Sequence, residues 1–293
     1  MKIRIPVVLL LTAVLCTPAA HALKLGDLNV DKLKEVKGKL KPLKEPSEAD
    51  EIEIGKGVAA NLLGAAPPVN DPQLQAYVNR VGQWVAMHTE RPDLPWHFAV
   101  LDTDGVNAFA TPGGYVFITR GMLLRMRDEA ELAGVLAHEA SHVVEKHALK
   151  TMRKGTLAGL AGDALSNYAE KKGKEEFTKI VSASTEIYAR GLDKEDEYAA
   201  DRAGVVIATR AGYDPYGLPS VLQTLASINP KDDAVALMFK THPDSGKRLE
   251  LVSNAMEGRL DKFIENPRVE SRFSSIIKSH IASYKPDVSR QGK

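Results

Sequence analysis

Residues 136–147 read LAHEASHVVEKH, and within them His138, Glu139 and His142 spell H-E-x-x-H. Helix positions four apart share one face, one turn apart. His138 and His142 therefore aim two imidazoles at one point. Zinc accepts neutral imidazole nitrogen, and two such ligands make half of a tetrahedral set. Glu139 lies about 100° around the helix from His138. It flanks the metal rather than binding it, where a general base must stand to take a proton from water. In a chain with eight histidines, a chance H-E-x-x-H is on the order of one in a hundred. Histidine pairs near a core are also costly unless something uses them, so the reading as a mere polar helix face is set aside. The helix is predicted to open at Asp128 with Glu131 as a capping box, to bury Leu132, Val135, Leu136 and Val143, and to run to about Lys150.

Two ligands leave the set incomplete. In metzincins the third is a histidine six residues after the second, but Ala148 stands there and Glu145 replaces the required glycine. His147 is one residue off and, on a continuous helix, faces elsewhere; it reads as a surface or capping histidine. The other solution is a glutamate from a second helix. Residues 193–204, DKEDEYAADRAG, place Glu197 and Asp201 four apart on a helix predicted over Asp193–Ala211. Glu197 completes a His₂Glu set with water in the fourth place. Asp201, one turn on, accepts the other N–H of a ligand histidine, with His138 the expected partner. Alone, Glu195, Asp196 and Glu197 would read as a solvated first turn favoured by the helix dipole.

Outside these helices the pattern is mixed. Helices are expected from Ser47, over Leu74–Met87, Leu218–Ile228 and Arg272–Tyr284, and near Ser245–Met256. Residues 96–121 read as short strands with turns at Asp104-Gly105 and Pro112-Gly113-Gly114. Thr156–Leu165 is apolar but too short to span a bilayer, and Ala169–Lys179 is charged. No repeat of 20 to 50 residues stands out.

Composition excludes some roles. Thirty-nine basic residues nearly balance 38 acidic ones, and aromatics are 6%. Neither a polyanionic partner nor a base-stacking surface follows, so no nucleic-acid partner is expected. The N-terminus has Lys2 and Arg4, an apolar run from Ile5 to Leu15 and then Ala20-His21-Ala22. That is the pattern of a cleaved secretory signal. Cleavage after Ala22 removes Cys16, the only cysteine, so metal ligands must be His, Asp or Glu. Leu23–Glu45 carries seven lysines and reads as a solvated linker or as an amphipathic segment touching a membrane or partner.

H-E-A-S-H followed by E-Y-A-A-D, 55 residues from His142 to Glu197, resembles the M48 zinc metallopeptidases, the Ste24/HtpX/Oma1-like gluzincins. VNAFATPGGYVFITRGML at 106–123 is similar to the stretch before the zinc helix in the soluble, secreted bacterial branch, and THPDSGKRL at 241–249 to the downstream H-P-x-x-x-x-R. The resemblance covers roughly residues 50 to 260. It implies an α+β, mainly helical zincin of the minigluzincin type, with a small antiparallel sheet and a zinc-binding helix pair. It implies one Zn²⁺ per chain on His138, His142 and Glu197, with Glu139 as base. Asn107, Ala108 and Phe109 would lie on an edge strand that pairs with an extended substrate. His242 and Arg248 would stabilise the oxyanion, or His242 would cap the metal in a latent state; the sequence leaves both open. The expected layout is a leader 1–22, a linker 23–46, a metallopeptidase domain 47–285 and a tail 286–293. The expected function is a periplasmic endopeptidase acting on unfolded or unassembled envelope proteins. Peripheral contact with the membrane or with outer-membrane assembly proteins is left open, as is the oligomeric state. The rival is a zinc-bound chaperone that binds unfolded chains without cutting them.

Overall fold

The computed structural model describes residues 46–152 and 191–283. The leader, the lysine-rich segment to Glu45, the stretches 156–165 and 169–179, and the tail after Tyr284 lie outside the described residues. Helix α1, Glu48–Ala65, starts at Ser47, whose hydroxyl accepts from the Asp50 amide while Asp50 reaches back, a full capping box. Helix α2, Pro72–Ala86, is capped by Asp71, with Pro72 in the first turn, where its missing N–H costs nothing. Strands β1 (His97–Leu101), β2 (Ala108–Thr111) and β3 (Tyr115–Thr119) follow, then the short α3, Arg120–Leu123.

Strand order is β1-β3-β2, with β2 antiparallel to β3 but β1 parallel to it. The sheet is therefore mixed, not antiparallel as expected. The cause is the placement of residues 102–107, which carry the chain past the β3 position before the tight β2–β3 hairpin returns it between its neighbours. Gly113 and Gly114 make that hairpin at φ 76° and 101°, a region that favours glycine.

Helix α4, Glu129–Val144, carries H-E-x-x-H and is buried at every residue from Glu129 to Val143. A single apolar stripe was expected. Instead the helix is enclosed by α2, by the sheet, by α5 (Lys194–Arg210) and by α6 (Gly217–Ala226). Asp128 caps it by accepting from the Glu131 amide, but Glu131 reaches past Asp128 to the Arg127 amide, so the expected reciprocal box does not close. Helices α7 (Asp233–Thr241), α8 (Ser245–Met256) and α9 (Glu270–Ser283) complete the order. Helix α7 was not anticipated. Among the described residues no helix is long and apolar enough to cross a membrane.

Two features set α4 in place. The first is a polar clamp at its N-terminus. The Arg268 carbonyl accepts from the Glu129 and Ala130 amides, satisfying first-turn groups that lack helical partners. The Arg268 side chain pairs with Asp128 at 2.7 Å and Asp214 at 2.8 Å. Glu129, fully buried, accepts from the hydroxyls of Tyr77 and Tyr213 at 2.8 Å each, and from Arg272 on α9. The second is close approach of α4 and α5. A Cβ on Gly204 would lie 2.9 Å from both Cα and N of His138, so only glycine permits this spacing.

Burial alone would raise the Glu129 pKa, but the bonds from Arg272, Tyr77 and Tyr213 bring it below the ordinary carboxylate range. Its stabilisation is thus present above that range and lost as pH falls through the folded value. Glu129→Gln is expected to lower stability by about 1–3 kcal/mol at neutral pH. In urea titrations its deficit relative to the wild type should shrink as the pH is taken down through the carboxylate range. Gly204→Ala should cost about 1–3 kcal/mol or more by forcing two backbones apart, read as a fall in the urea midpoint at unchanged slope.

Candidate metal centre

His138, His142, Glu197 and His242 are all buried, and one ligand atom from each lies within 4.8 Å of the others. Helix α4 supplies the two histidines and the first turns of α5 supply Glu197. The end of α7 supplies His242, which caps that helix with its amide on the Met238 carbonyl. The Nε2 atoms of His138 and His142 are 3.1 Å apart, and Glu197 carboxylate oxygens lie 3.7 Å and 3.5 Å from them. The opposite ring nitrogens are engaged. His138 Nδ1 faces Asp201 Oδ1 at 3.0 Å, and His142 Nδ1 faces His147 Nδ1 at 2.8 Å. If each Nδ1 carries its proton toward that partner, both Nε2 lone pairs point at one spot beside a carboxylate. Such a donor set suits a cation, and two nitrogens on one tetrahedral zinc lie about 3.3 Å apart at ordinary bond lengths. The residues present fit a metal ion.

The surrounding charges are paired. Arg248, on α8 and buried, donates through Nε and Nη2 to Asp201 at 2.8 Å and 2.6 Å, and its Nη1 lies 3.1 Å from Glu197. Burial would raise the Asp201 carboxyl; Arg248 and then His138 hold it well below the usual range. Burial acts likewise on Glu197, and the charges of His242, His142 and Arg248 hold it low. Glu139 is buried too, and there burial prevails over the attraction of His242 and His138, so its pKa is raised. His242 Nδ1 is 3.0 Å from Glu197 and its Nε2 is 3.2 Å from the Ala108 carbonyl and 3.8 Å from Glu139. Burial lowers its pKa, but Glu197 and Glu139 together push it up to about 9.

His138, Glu139, His142, Glu197, Asp201, His242 and Arg248 are thus brought together. Arg248 faces two carboxylates rather than open space. Asn107 and Ala108 are buried and Phe109 is half-buried beside the site. Strand β2, with Ala108 and Phe109, is one of the two edge strands of the sheet, and a cavity of about 220 Å³ lies between it and the end of α4. Phe109, Val143, Leu149 and Leu237 give this cavity an apolar lining, and His142 and His242 border it.

One expectation is corrected. The helix ends at Val144, not Lys150, and Lys146 takes φ 57° before helix resumes over residues 147–152. Lys146 lies 3.4 Å from buried Glu51, whose carboxylate also holds Arg91 at 2.9 Å. The break swings His147 inward, where it is 2% exposed against His142. Its partner Asp196, 3.4 Å away, also escaped the sequence reading. Helical spacing assumes an unbroken helix, and nothing in E-K-H marks a left-handed lysine.

The profile of Peptidase family M48 matches residues 72–256. The chain belongs to this family. It is 30% identical over 209 residues to the beta-barrel assembly-enhancing protease of Escherichia coli (strain K12), covering 69% of this chain and 43% of that protein. It is 27% identical over 163 residues to the mitochondrial metalloendopeptidase OMA1 of Arabidopsis thaliana, covering 55% and 32%. It is 30% identical over 223 residues to a protease HtpX homolog of Salinibacter ruber, covering 70% and 73%. The chain therefore spans less than half the length of the Escherichia coli relative. The zincin architecture implied by the resemblance agrees with the mainly helical fold, the small sheet and the buried His/Glu cluster.

Glu197→Ala is expected to abolish stoichiometric metal binding, and Asp201→Ala to weaken it about 10–100-fold. Zinc per mole after gel filtration, followed by competition with a chelator, checks both. Full zinc retention by Glu197→Ala would remove Glu197 from the ligand set.

Proposed function

We propose that this protein is a zinc-dependent endopeptidase of the bacterial periplasm, acting on unfolded or unassembled envelope polypeptides. The observation that carries the reading is Glu139, a buried carboxylate of raised pKa that adjoins His138 and faces His242, beside a His₂Glu cluster. A purely structural site needs no such base, since structural zinc is usually enclosed by four ligands.

When bound by His138, His142 and Glu197, zinc supplies Lewis acidity that acidifies water and polarises a carbonyl. Glu139 takes the proton of the attacking water and passes it to the departing amine. Its raised pKa suits a group that must hold a proton between those two steps. Asp201 fixes the ring of His138, and Arg248 fixes Asp201 and Glu197 in turn. His242, with Nε2 near Glu139, serves as a donor to the developing oxyanion. Asn107, Ala108 and Phe109 align an extended substrate along β2, and the neighbouring apolar cavity accepts a nonpolar side chain. Backbone pairing gives little sequence preference, which supports unfolded chains as substrates. The signal-like N-terminus and the name of the Escherichia coli relative support the envelope location and a barrel-assembly context.

A second reading is a latent or chaperone-like form with His242 as fourth ligand. Its support is that His242 belongs to the same 4.8 Å cluster.

With purified protein and an unfolded substrate, wild type and Glu139→Gln should both bind about one zinc, and only wild type should cleave, by a factor of about 10² or more. Equal cleavage by Glu139→Gln sinks the mechanism. Cleavage that emerges only in His242→Ala favours latency.

A further inference from the structure

The two ligand histidines are backed differently. His138 Nδ1 meets a carboxylate directly, Asp201 Oδ1 at 3.0 Å. His142 Nδ1 meets another imidazole, His147 Nδ1 at 2.8 Å, with the rings 67° apart. Two bare nitrogens do not pack at that distance in a dry interior, so one of them carries a proton. If His142 Nε2 is a ligand, its Nδ1 is the protonated one, and His147 Nδ1 must accept. The tautomer of His147 is then fixed: its proton is on Nε2, which lies 3.4 Å from Asp196 Oδ1. Asp196 sits beside Glu197 in the first turn of α5. The chain of contacts therefore runs from the metal site through two rings and back to the helix that supplies the third ligand.

We propose that His147, backed by Asp196, is a positioning residue that fixes the tautomer and ring orientation of His142. The proposal rests on the reading of His142 as a metal ligand. It assigns a use to the helix break: without the left-handed Lys146, the residue at 147 would point away from His142. It also distinguishes the two ligand rings chemically. His138 leans on a full negative charge already shared with Arg248, whereas His142 leans on a neutral ring that passes the influence of Asp196 at one remove.

The test uses the zinc-loaded wild-type chain with ¹⁵N-labelled histidine. Long-range ¹H–¹⁵N spectra should show His142 protonated at Nδ1 and His147 protonated at Nε2 with a bare Nδ1. A His147 protonated at Nδ1 overturns the proposal, whatever the variants do. His147→Leu should weaken zinc binding about 10–100-fold in chelator competition. His147→Asn, whose amide oxygen stands near the place of Nδ1, should recover most of that loss. His147→Leu binding zinc as tightly as wild type overturns the proposal while leaving the metal site standing. If wild type itself binds no zinc, or if His142→Ala binds it undiminished, the reading of the site fails and this inference fails with it. Should His147→Leu not fold without metal, the wild-type tautomer spectrum decides.

Discussion

Two imidazole nitrogens held 3.1 Å apart in a buried site need a proton or a metal ion between them. The rest of the structure follows from holding His138 and His142 in that arrangement. The α4 helix is buried on all sides, so its rings cannot turn to solvent. Gly204 lets α5 approach the backbone of His138, and that approach delivers Glu197 to the same point. A larger residue at 204 would move the carboxylate outward with its helix.

The site also balances its charge internally. Glu197 and Asp201 are ionised within a buried volume, and Arg248 bridges them. His242 adds a second cation against Glu197. Among the described residues Glu139 is the carboxylate of the three that Arg248 does not pair with, and burial raises its pKa where the other two are lowered. Carboxylates in one pocket are driven apart in proton affinity by their neighbours, which is how acid–base and ligand roles become separable.

Much of this was legible beforehand, for physical reasons that also explain what was not. His138 and His142 are four apart on one helix, as are Glu197 and Asp201, and short spacings survive folding. The capping signals at Ser47 and Asp128 marked helix starts for the same reason. Helix α7 carries a cap of the same kind, Asp232 accepting from the Ala234 amide, and the sequence reading passed over it. The direction of β1 relative to β3 depended on where a loop crosses the sheet, which local pattern does not encode. His147 was misjudged because one residue, Lys146, leaves helical geometry and resets every angle after it. What holds Lys146 there includes Glu51, far away in sequence. Asp196 was hidden by its company, an acidic first turn that ordinarily faces water.

The clamp on the start of α4 has a consequence for the order in which the protein is made. Helix α4 begins at Glu129, but the carbonyl that closes its first turn belongs to Arg268, and Glu129 is gripped by Arg272. A chain emerging from the ribosome N-terminus first exposes H-E-x-x-H well before those arginines arrive. The site residues and those that brace them are therefore complete only once Arg268 and Arg272 have emerged. A polypeptide halted before Arg268 lacks the brace, and the first turn of α4 then has no carbonyl to accept from its Glu129 and Ala130 amides.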